Sequence, residues 1–273
     1  MENNHADVHP PPPSQSTSIW LESFESYDAC IQYQRRLDYG TNDMAAFVSE
    51  RWVQRMRAMY QLAKNSEYPK ATCLPQFMEL NRESRIFDFG GGSGWTIELL
   101  NEKTLSRLES YVVIEQPEFL ERLKSITSAP QKLEFCSPSD IRPGTSSSDG
   151  VFYANSSLQY LSSDEEARSI ILSTRPNWLL FDDLQMSKGQ EFWSLQRYYG
   201  RHIPCRFFNL EKVVMFLQEL GYQQIFNFPY PKRYADGWLP RIEESSGLLP
   251  NLEVPLTIGF RMLTPDIQEG LWG

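Results

Sequence analysis

The chain has 273 residues, with 26 Lys and Arg against 35 Asp and Glu for a formal net charge of −9, and 41% of its residues are hydrophobic. This suits one sizeable α/β core with extensions, and without Lys/Arg clusters it offers no electrostatic footprint for a nucleic-acid backbone or an anionic membrane. No apolar run reaches the ~20 residues that span a bilayer, no secretory leader is evident, and the scattered Cys30, Cys73, Cys136 and Cys205 match neither a disulfide framework nor a zinc site. The expectation is a cytoplasmic protein with reduced thiols and no metal; the sequence assigns no oligomeric state.

Residues 1–18 carry four consecutive prolines, Pro10 to Pro13, among Ser, Thr, Asn and His. Such a composition buries too little apolar surface to offset its ordering entropy, so it reads as a disordered tail in which His5 and His9 lack preorganised partners for a metal. An N-terminal helical extension is expected over 19–80, and the main domain over 81–273. Within the extension, Met44, Phe47, Val48, Trp52, Met56, Met59 and Tyr60 recur at spacings of three and four, with Glu50, Arg51, Gln54 and Arg57 on the other face. That spacing predicts an amphipathic helix over 43–62, packed on its own core or serving as a lid or partner-binding element.

Arg85 to Phe89 is a short β-prone run, followed at once by Gly90-Gly-Gly-Ser-Gly94 and by a helically spaced segment from Trp95 to Leu100. Further strands are expected at 111–115, 132–136, 150–154 and 177–181. Ser163 and Glu166 form a capping box that opens a helix, and Asn209 caps another that stops at Gly221. Two late runs, 223–228 and 256–260, look like closing strands. Strands alternating with helices predict an α/β fold, a doubly wound, mainly parallel Rossmann-like sheet with an antiparallel hairpin at one edge.

In such a sheet, ligands lie beyond the carboxyl ends of the strands, where the strand order reverses. The first strand leaves through Asp88-x-Gly90-x-Gly92-x-Gly94, whose glycines let the backbone approach a ligand. A dinucleotide fingerprint starting at Gly90 needs a third glycine at position 95, and this chain has Trp95. The carboxylate of Asp88 would repel a pyrophosphate yet suits the ammonium of an amino-acid-like ligand. Glu115 ends the second strand, where it could accept hydrogen bonds from both ribose hydroxyls of an adenosine. Together these residues describe S-adenosylmethionine better than NAD. A kinase reading of Asp88-Phe-Gly90 fails for want of a catalytic-loop motif and a strand lysine.

Asp88 to Gly94 with Glu115 resembles the first two motifs of class I S-adenosylmethionine-dependent methyltransferases. Asp-Phe-Gly-Gly at 88–91, Val-Ile-Glu-Gln at 113–116, Ser-Ser-Leu-Gln-Tyr-Leu at 156–161, Ser-Leu-Gln at 194–196 and Ile-Pro-Cys-Arg-Phe-Phe at 203–208 are similar to strings of a bacterial family. Its members are classed as methyltransferases from their fold and are often met among surface-polysaccharide genes. The resemblance runs from about Trp20 to about Pro229. It implies a cofactor held by Asp88, Gly90, Gly92, Gly94 and Glu115, with Asn155 and Ser156 against its methionine part. Asp140, after the third strand, could meet the adenine amino group, in competition with Ser139. The chain departs from the family in the glycine turn, where Gly92-Ser-Gly-Trp95 replaces Ser-Leu-Gly-Ser, and the role of Trp95 stays open.

For the acceptor side, Gln159 and Tyr160 follow the fourth strand, and Asp182 and Asp183 end the fifth. Paired carboxylates there could orient a hydroxyl or act as a base, against the plainer reading of solvated acids ending a strand. His202, set in a loop between Gly200 and Pro204, is a natural base at neutral pH or a surface residue. Phe192-Trp193, Tyr198-Tyr199, Phe207-Phe208, Phe226, Phe228, Tyr230 and Tyr234 make the second half aromatic-rich, as core or as a stacking face for a sugar or aromatic acceptor. The expected activity is methyl transfer to a small molecule or glycan precursor at a hydroxyl. The alternatives are a non-catalytic cofactor-binding partner in a biosynthetic assembly and an NAD(P)-linked oxidoreductase.

Overall fold

The computed structural model describes residues 20–37, 50–65, 72–126, 132–141, 150–198, 201–230 and 252–263. The Pro-rich tail with His5 and His9, the expected helical positions 43–49, and Tyr234 lie outside the described residues.

The β-prone runs form β2 (Arg85–Phe89), β3 (Ser110–Ile114), β4 (Leu133–Cys136), β5 (Val151–Asn155) and β6 (Trp178–Ser187), joined in the main sheet by β9 (Tyr222–Pro229) and β10 (Leu252–Met262). The seven strands lie in the order β4-β3-β2-β5-β6-β10-β9. Neighbours from β4 to β6 are parallel, while β10 runs antiparallel to both β6 and β9. The expected closing hairpin is therefore present, with its second strand wedged against β6. The chain steps outward from β2 to β3 and β4, then returns to lay β5 on the other side of β2. That reversal puts the exit of β2 at the topological switch point.

Strand alternation assigns the two faces. Ile86, Tyr111, Val113, Tyr153 and Leu180 pack with Leu74, Phe77 and Met78 of α3 (Leu74–Leu80). Phe89, Phe152, Ala154 and Phe181 pack on the other face against Ile170 and Ile171 of α6 (Asp164–Thr174) and Val213 and Leu217 of α7 (Leu210–Glu219). Each large apolar side chain fully buried this way contributes about 1.5–3 kcal/mol. Both helices start where the capping residues predict. Ser163 accepts the Glu166 N–H at 3.3 Å, and Asn209 accepts the Lys212 N–H at 3.1 Å.

Three local expectations change. The segment after the glycine turn is not one helix but a 3-10 turn over Trp95–Leu99 followed by α4 (Glu102–Arg107), whose cap Asn101 accepts the Thr104 N–H at 2.8 Å. The fifth strand continues past Phe181 to Ser187, so Asp182 and Asp183 lie within it rather than at its end. The N-terminal extension opens on a strand, β1 (Trp20–Phe24), before α1 (Tyr27–Leu37) and α2 (Glu50–Lys64).

That first strand belongs to a second sheet, in the order β1-β7-β8, with β7 (Phe192–Tyr198) and β8 (Arg201–Phe207) antiparallel. Sequence alternation does not reveal it, because both faces are apolar. Phe192, Cys205 and Phe207 pack with Trp20 on one side, while Trp193 and Leu195 pack with Cys30 of α1 on the other. Pro204 would argue against a central strand, and β8 is an edge strand, where a missing N–H is tolerated.

Candidate functional site

Gly90, Gly92 and Gly94 all have positive φ, +67°, +59° and +69°. At Gly90 the need for glycine is twofold: the left-handed backbone disfavours a side chain, and an added Cβ would lie 2.4 Å from Cβ of Ser157. Ser157, just beyond β5, donates from Oγ to the Phe89 carbonyl at 2.6 Å, locking the two central strand exits together. Asp88 precedes the turn and is 1% exposed, with the Tyr111 hydroxyl donating to its Oδ2 at 2.5 Å. Burial pushes its carboxyl up to about 7, against the Tyr111 hydrogen bond, and the nearby charge of Glu115 adds to the rise.

Glu115 follows β3 and is only partly buried. Its Oε1 accepts the Gly92 N–H at 3.1 Å and its Oε2 accepts the Gln116 N–H at 3.3 Å. Desolvation raises its carboxyl to about 7, opposed by these two N–H groups. The carboxylate thus sits against the glycine turn, at the edge where an adenosine ribose is expected.

The turn is roofed by α2. Ser93 donates from Oγ to the Met56 carbonyl at 3.2 Å, and a Cβ on Gly92 would come within 2.9 Å of Met56 Sδ. Val53 and Met56 cluster with Phe119 and Leu123 of α5 (Pro117–Ile126), and Ile203 of β8 packs against the same cluster. At the other end of α2, Tyr60 and Ala63 bury against Trp95, and the Tyr60 hydroxyl donates to Glu98. Trp95 therefore has a role that its place in the motif did not disclose: it anchors the roofing helix on the glycine turn. Val53, absent from the expected apolar stripe, is in the buried face. The helix is packed on its own core, with Met56 against the glycine turn.

At the end of β5, Asn155 donates from Nδ2 to the Tyr153 hydroxyl at 2.9 Å. Ser156 is left-handed at φ 56° and donates from its hydroxyl to Asp183, itself left-handed at φ 55°. Non-glycine residues in this region carry about 1–3 kcal/mol of strain and cluster at functional sites. At Asp183 the chain forms a bulge: Leu256 pairs with Leu184 and Ile258 with Phe181, leaving Asp182 and Asp183 opposite Thr257 alone.

The solvated acids expected at this rim are not found. Asp182 and Asp183 are 1% and 5% exposed. Asp182 is held by donors from three parts of the chain. Its Oδ2 accepts the Cys73 N–H at 2.9 Å, the Tyr153 hydroxyl at 3.0 Å and the Thr72 hydroxyl at 3.1 Å. Its Oδ1 accepts the Thr257 hydroxyl at 2.7 Å and the Cys73 thiol at 3.1 Å. Asp183 accepts Gln185 Nε2 at 3.1 Å as well as the Ser156 hydroxyl. Gln159 is 2% exposed, with Oε1 buried and without a hydrogen-bond partner. Tyr160 donates to Gln196 Oε1 of β7 at 2.6 Å, tying this loop to the second sheet.

His202 is on β8 rather than in a loop. Strand alternation puts it on the face opposite to Ile203, the α1 side, where its carbonyl accepts Gln34 Nε2 at 2.5 Å. Asp140 is exposed and caps the turn after β4, accepting from the Ser137 hydroxyl at 2.6 Å and its N–H at 3.1 Å, bonds that hold its carboxyl below the usual range. The structure thus gathers Asp88, Gly90, Gly92, Gly94 and Glu115 at one end of the strand exits and Asn155, Ser156 and Asp182 at the other. His202 is directed elsewhere. Tyr111, Met56, Trp95 and Asp183 complete the surroundings; Met56 stands in the expected apolar stripe and Asp183 beside Asp182, while Trp95 had no expected role and Tyr111 no signal.

No protein-family model matches the chain, and no curated protein matches it. Among solved structures it is similar to a Listeria monocytogenes protein assigned as an S-adenosylmethionine dependent methyltransferase, at 14% identity over 70% of this chain and 96% of that one, TM-score 0.48. It is similar to an S-adenosylmethionine dependent methyltransferase of Mesorhizobium loti at 15% identity, over 70% of this chain and 98% of the other, TM-score 0.44. Human N-acetylserotonin methyltransferase shares 13% identity over 78% of this chain and 56% of its own, TM-score 0.45. At such identities and TM-scores the fold assignment rests on the strand order itself, a Rossmann-like α/β sheet with one antiparallel strand next to the edge. Among the described residues no helix is long and apolar enough to cross a membrane.

Proposed function

We propose that the protein is an S-adenosylmethionine-dependent methyltransferase acting on a small molecule or glycan precursor, with a hydroxyl as acceptor. The observation that carries this reading is the left-handed glycine turn at the switch point, flanked by a buried Asp88 and by Glu115. A turn that tolerates no Cβ at Gly90 and a carboxylate at each end fit a ligand with an ammonium and a ribose diol. A pyrophosphate would meet two acids instead, and Trp95, buried under α2, occupies the position of the third dinucleotide glycine. The bound cofactor supplies a methyl group on a positively charged sulfur.

The protein's own task is then to align the acceptor, exclude water and remove a proton. Asn155, Ser156, Gln159 and Tyr160 line the acceptor side in this reading, and α2 with Ile203 shields the turn. For the proton we assign Asp183 in place of Asp182, whose five donors commit it to structure. Asp183 sits directly beside the acceptor-side loop, where it receives the hydroxyl of the left-handed Ser156. His202 is withdrawn as a base because its strand face is turned towards α1.

Transfer of labelled methyl from S-adenosylmethionine to glycan precursors, small metabolites and cell extracts tests the activity, with Asp183→Asn expected to lower kcat by about 100-fold. Calorimetry with S-adenosylhomocysteine and NADH tests the cofactor. Binding of NADH alone would return the oxidoreductase reading. Tight S-adenosylhomocysteine binding without a labelled product in any extract would favour the non-catalytic partner.

A further inference from the structure

The face of the main sheet opposite to Asp88 and Asp182 carries a cavity of about 540 Å³, counting its solvent-open mouth, between α6 and α7. Leu158, Leu161, Phe181, Leu184, Val213 and Leu217 form its walls. Neither the glycine turn nor Glu115 contributes to it. On one side Arg168 bridges the two helices, lying over the Phe216 ring at 5.2 Å and pairing with Glu219 at 3.1 Å.

The polar residues at the cavity cancel one another. Arg206 pairs with Asp164 at 2.5 Å and with Glu191 at 2.7 Å, while Lys212 lies 3.7 Å from the same Glu191 oxygen. Two acids face two bases, so a charged ligand would lose its hydration without gaining a free counter-charge. Hydrogen-bonding capacity is nevertheless left over: Arg206 Nε and Glu191 Oε2 are buried and have no partner. An unmet donor and an unmet acceptor at one end of an apolar space reward a group that can both accept and donate.

We propose that this cavity is a second ligand site, taking an uncharged, mainly apolar small molecule whose polar end is a hydroxyl or similar donor–acceptor group. Apolar walls supply the affinity, and the half-used Arg206–Glu191 pair supplies the orientation. Leu158 belongs to the same short turn as Gln159 and Tyr160, so an occupant would touch the element that carries the acceptor-side residues. The site itself does not depend on the methyltransferase reading.

Fluorescence titration of the full chain with 1-naphthol, 1-naphthoate and 1-naphthylmethylammonium tests it. The expected result is saturable 1-naphthol binding, about tenfold or more tighter than either ion. Ala167→Trp, which projects an indole into the cavity from α6, should weaken 1-naphthol by about tenfold or more. Lys212 is 64% exposed, so Lys212→Glu tests the rim without threatening the core. It leaves three acids against one base and should raise the affinity of the cation relative to the anion. Absence of saturable 1-naphthol binding, equal binding of all three probes, or affinities unchanged in both variants would overturn the proposal. Displacement of 1-naphthol by S-adenosylhomocysteine would also overturn it, by moving the probe to the cofactor cleft.

Discussion

Asp88 and Asp182 share a face of one sheet and the same 1% exposure, yet their surroundings differ. Asp182 accepts from Thr72, Cys73, Tyr153 and Thr257, five bonds that join the N-terminal segment, β5 and β10 to β6. Asp88 accepts a hydroxyl from Tyr111, and burial lifts its carboxyl to about 7. A buried carboxylate supplied with donors is a structural joint. One supplied with too few costs folding energy unless a proton or a cationic partner neutralises it. Depth of burial alone cannot distinguish them.

The sharpest way to break this comparison is Asp182→Ala. Removing the acceptor strands hydroxyl and amide donors from separate elements, and the expected loss is about 3–5 kcal/mol of stability in urea unfolding. A loss below about 1 kcal/mol would mean that water replaces the carboxylate, and the joint would be no joint.

Asp88→Asn should act in the opposite sense on the two properties. The Tyr111 hydroxyl keeps an acceptor while the desolvation penalty disappears, so stability should hold or rise. S-adenosylmethionine binding should weaken by about 2 kcal/mol, roughly 30-fold by calorimetry, because the ammonium loses its counter-charge. Unchanged affinity would remove Asp88 from the cofactor site. Glu115→Gln should cost less, about 1 kcal/mol of S-adenosylhomocysteine affinity, since the amide still accepts one of the two ribose hydroxyls.

The smallest effect is in pH. The carboxyls of Asp88 and Glu115 both rise to about 7 in the folded chain, from ordinary carboxylate values when unfolded. Between roughly pH 4 and 7 the unfolded state therefore binds fewer protons, and the contribution of these groups to stability falls as pH rises through that window. Asp88→Asn should flatten the slope of unfolding midpoint against pH. Binding of the cationic cofactor should run the other way and strengthen from pH 6 to pH 8, as the ionised carboxylates become populated. A slope unaltered in the variant would locate the titration elsewhere.

Trp95 shows why part of the site was not legible from the sequence. Its spacing with Ile97 and Leu100 predicts a helix, but Gly94 in the left-handed region starts a 3-10 turn there, and the indole is spent on Tyr60 and Ala63 of a distant helix. The second sheet was hidden for a related reason. Alternation signals a strand only when one face is wet, and here α1 covers Trp193 and Leu195 while Trp20 covers Phe207.

What the sequence determined by itself is whatever depends on neighbours along the chain. The strand and helix order follows from periodicity, the helix starts follow from Ser163 and Asn209, and the turn between Asp88 and Gly94 follows from glycines held in a left-handed backbone that side chains disfavour. Tertiary structure alone decided which donors reach each acid. The donors to Asp182 lie up to 110 residues away, and a bulge opposite Thr257 buries two consecutive aspartates that the strand pattern left in solvent. A carboxylate's role is set by the donors that reach it in space, and their positions follow from how distant elements pack.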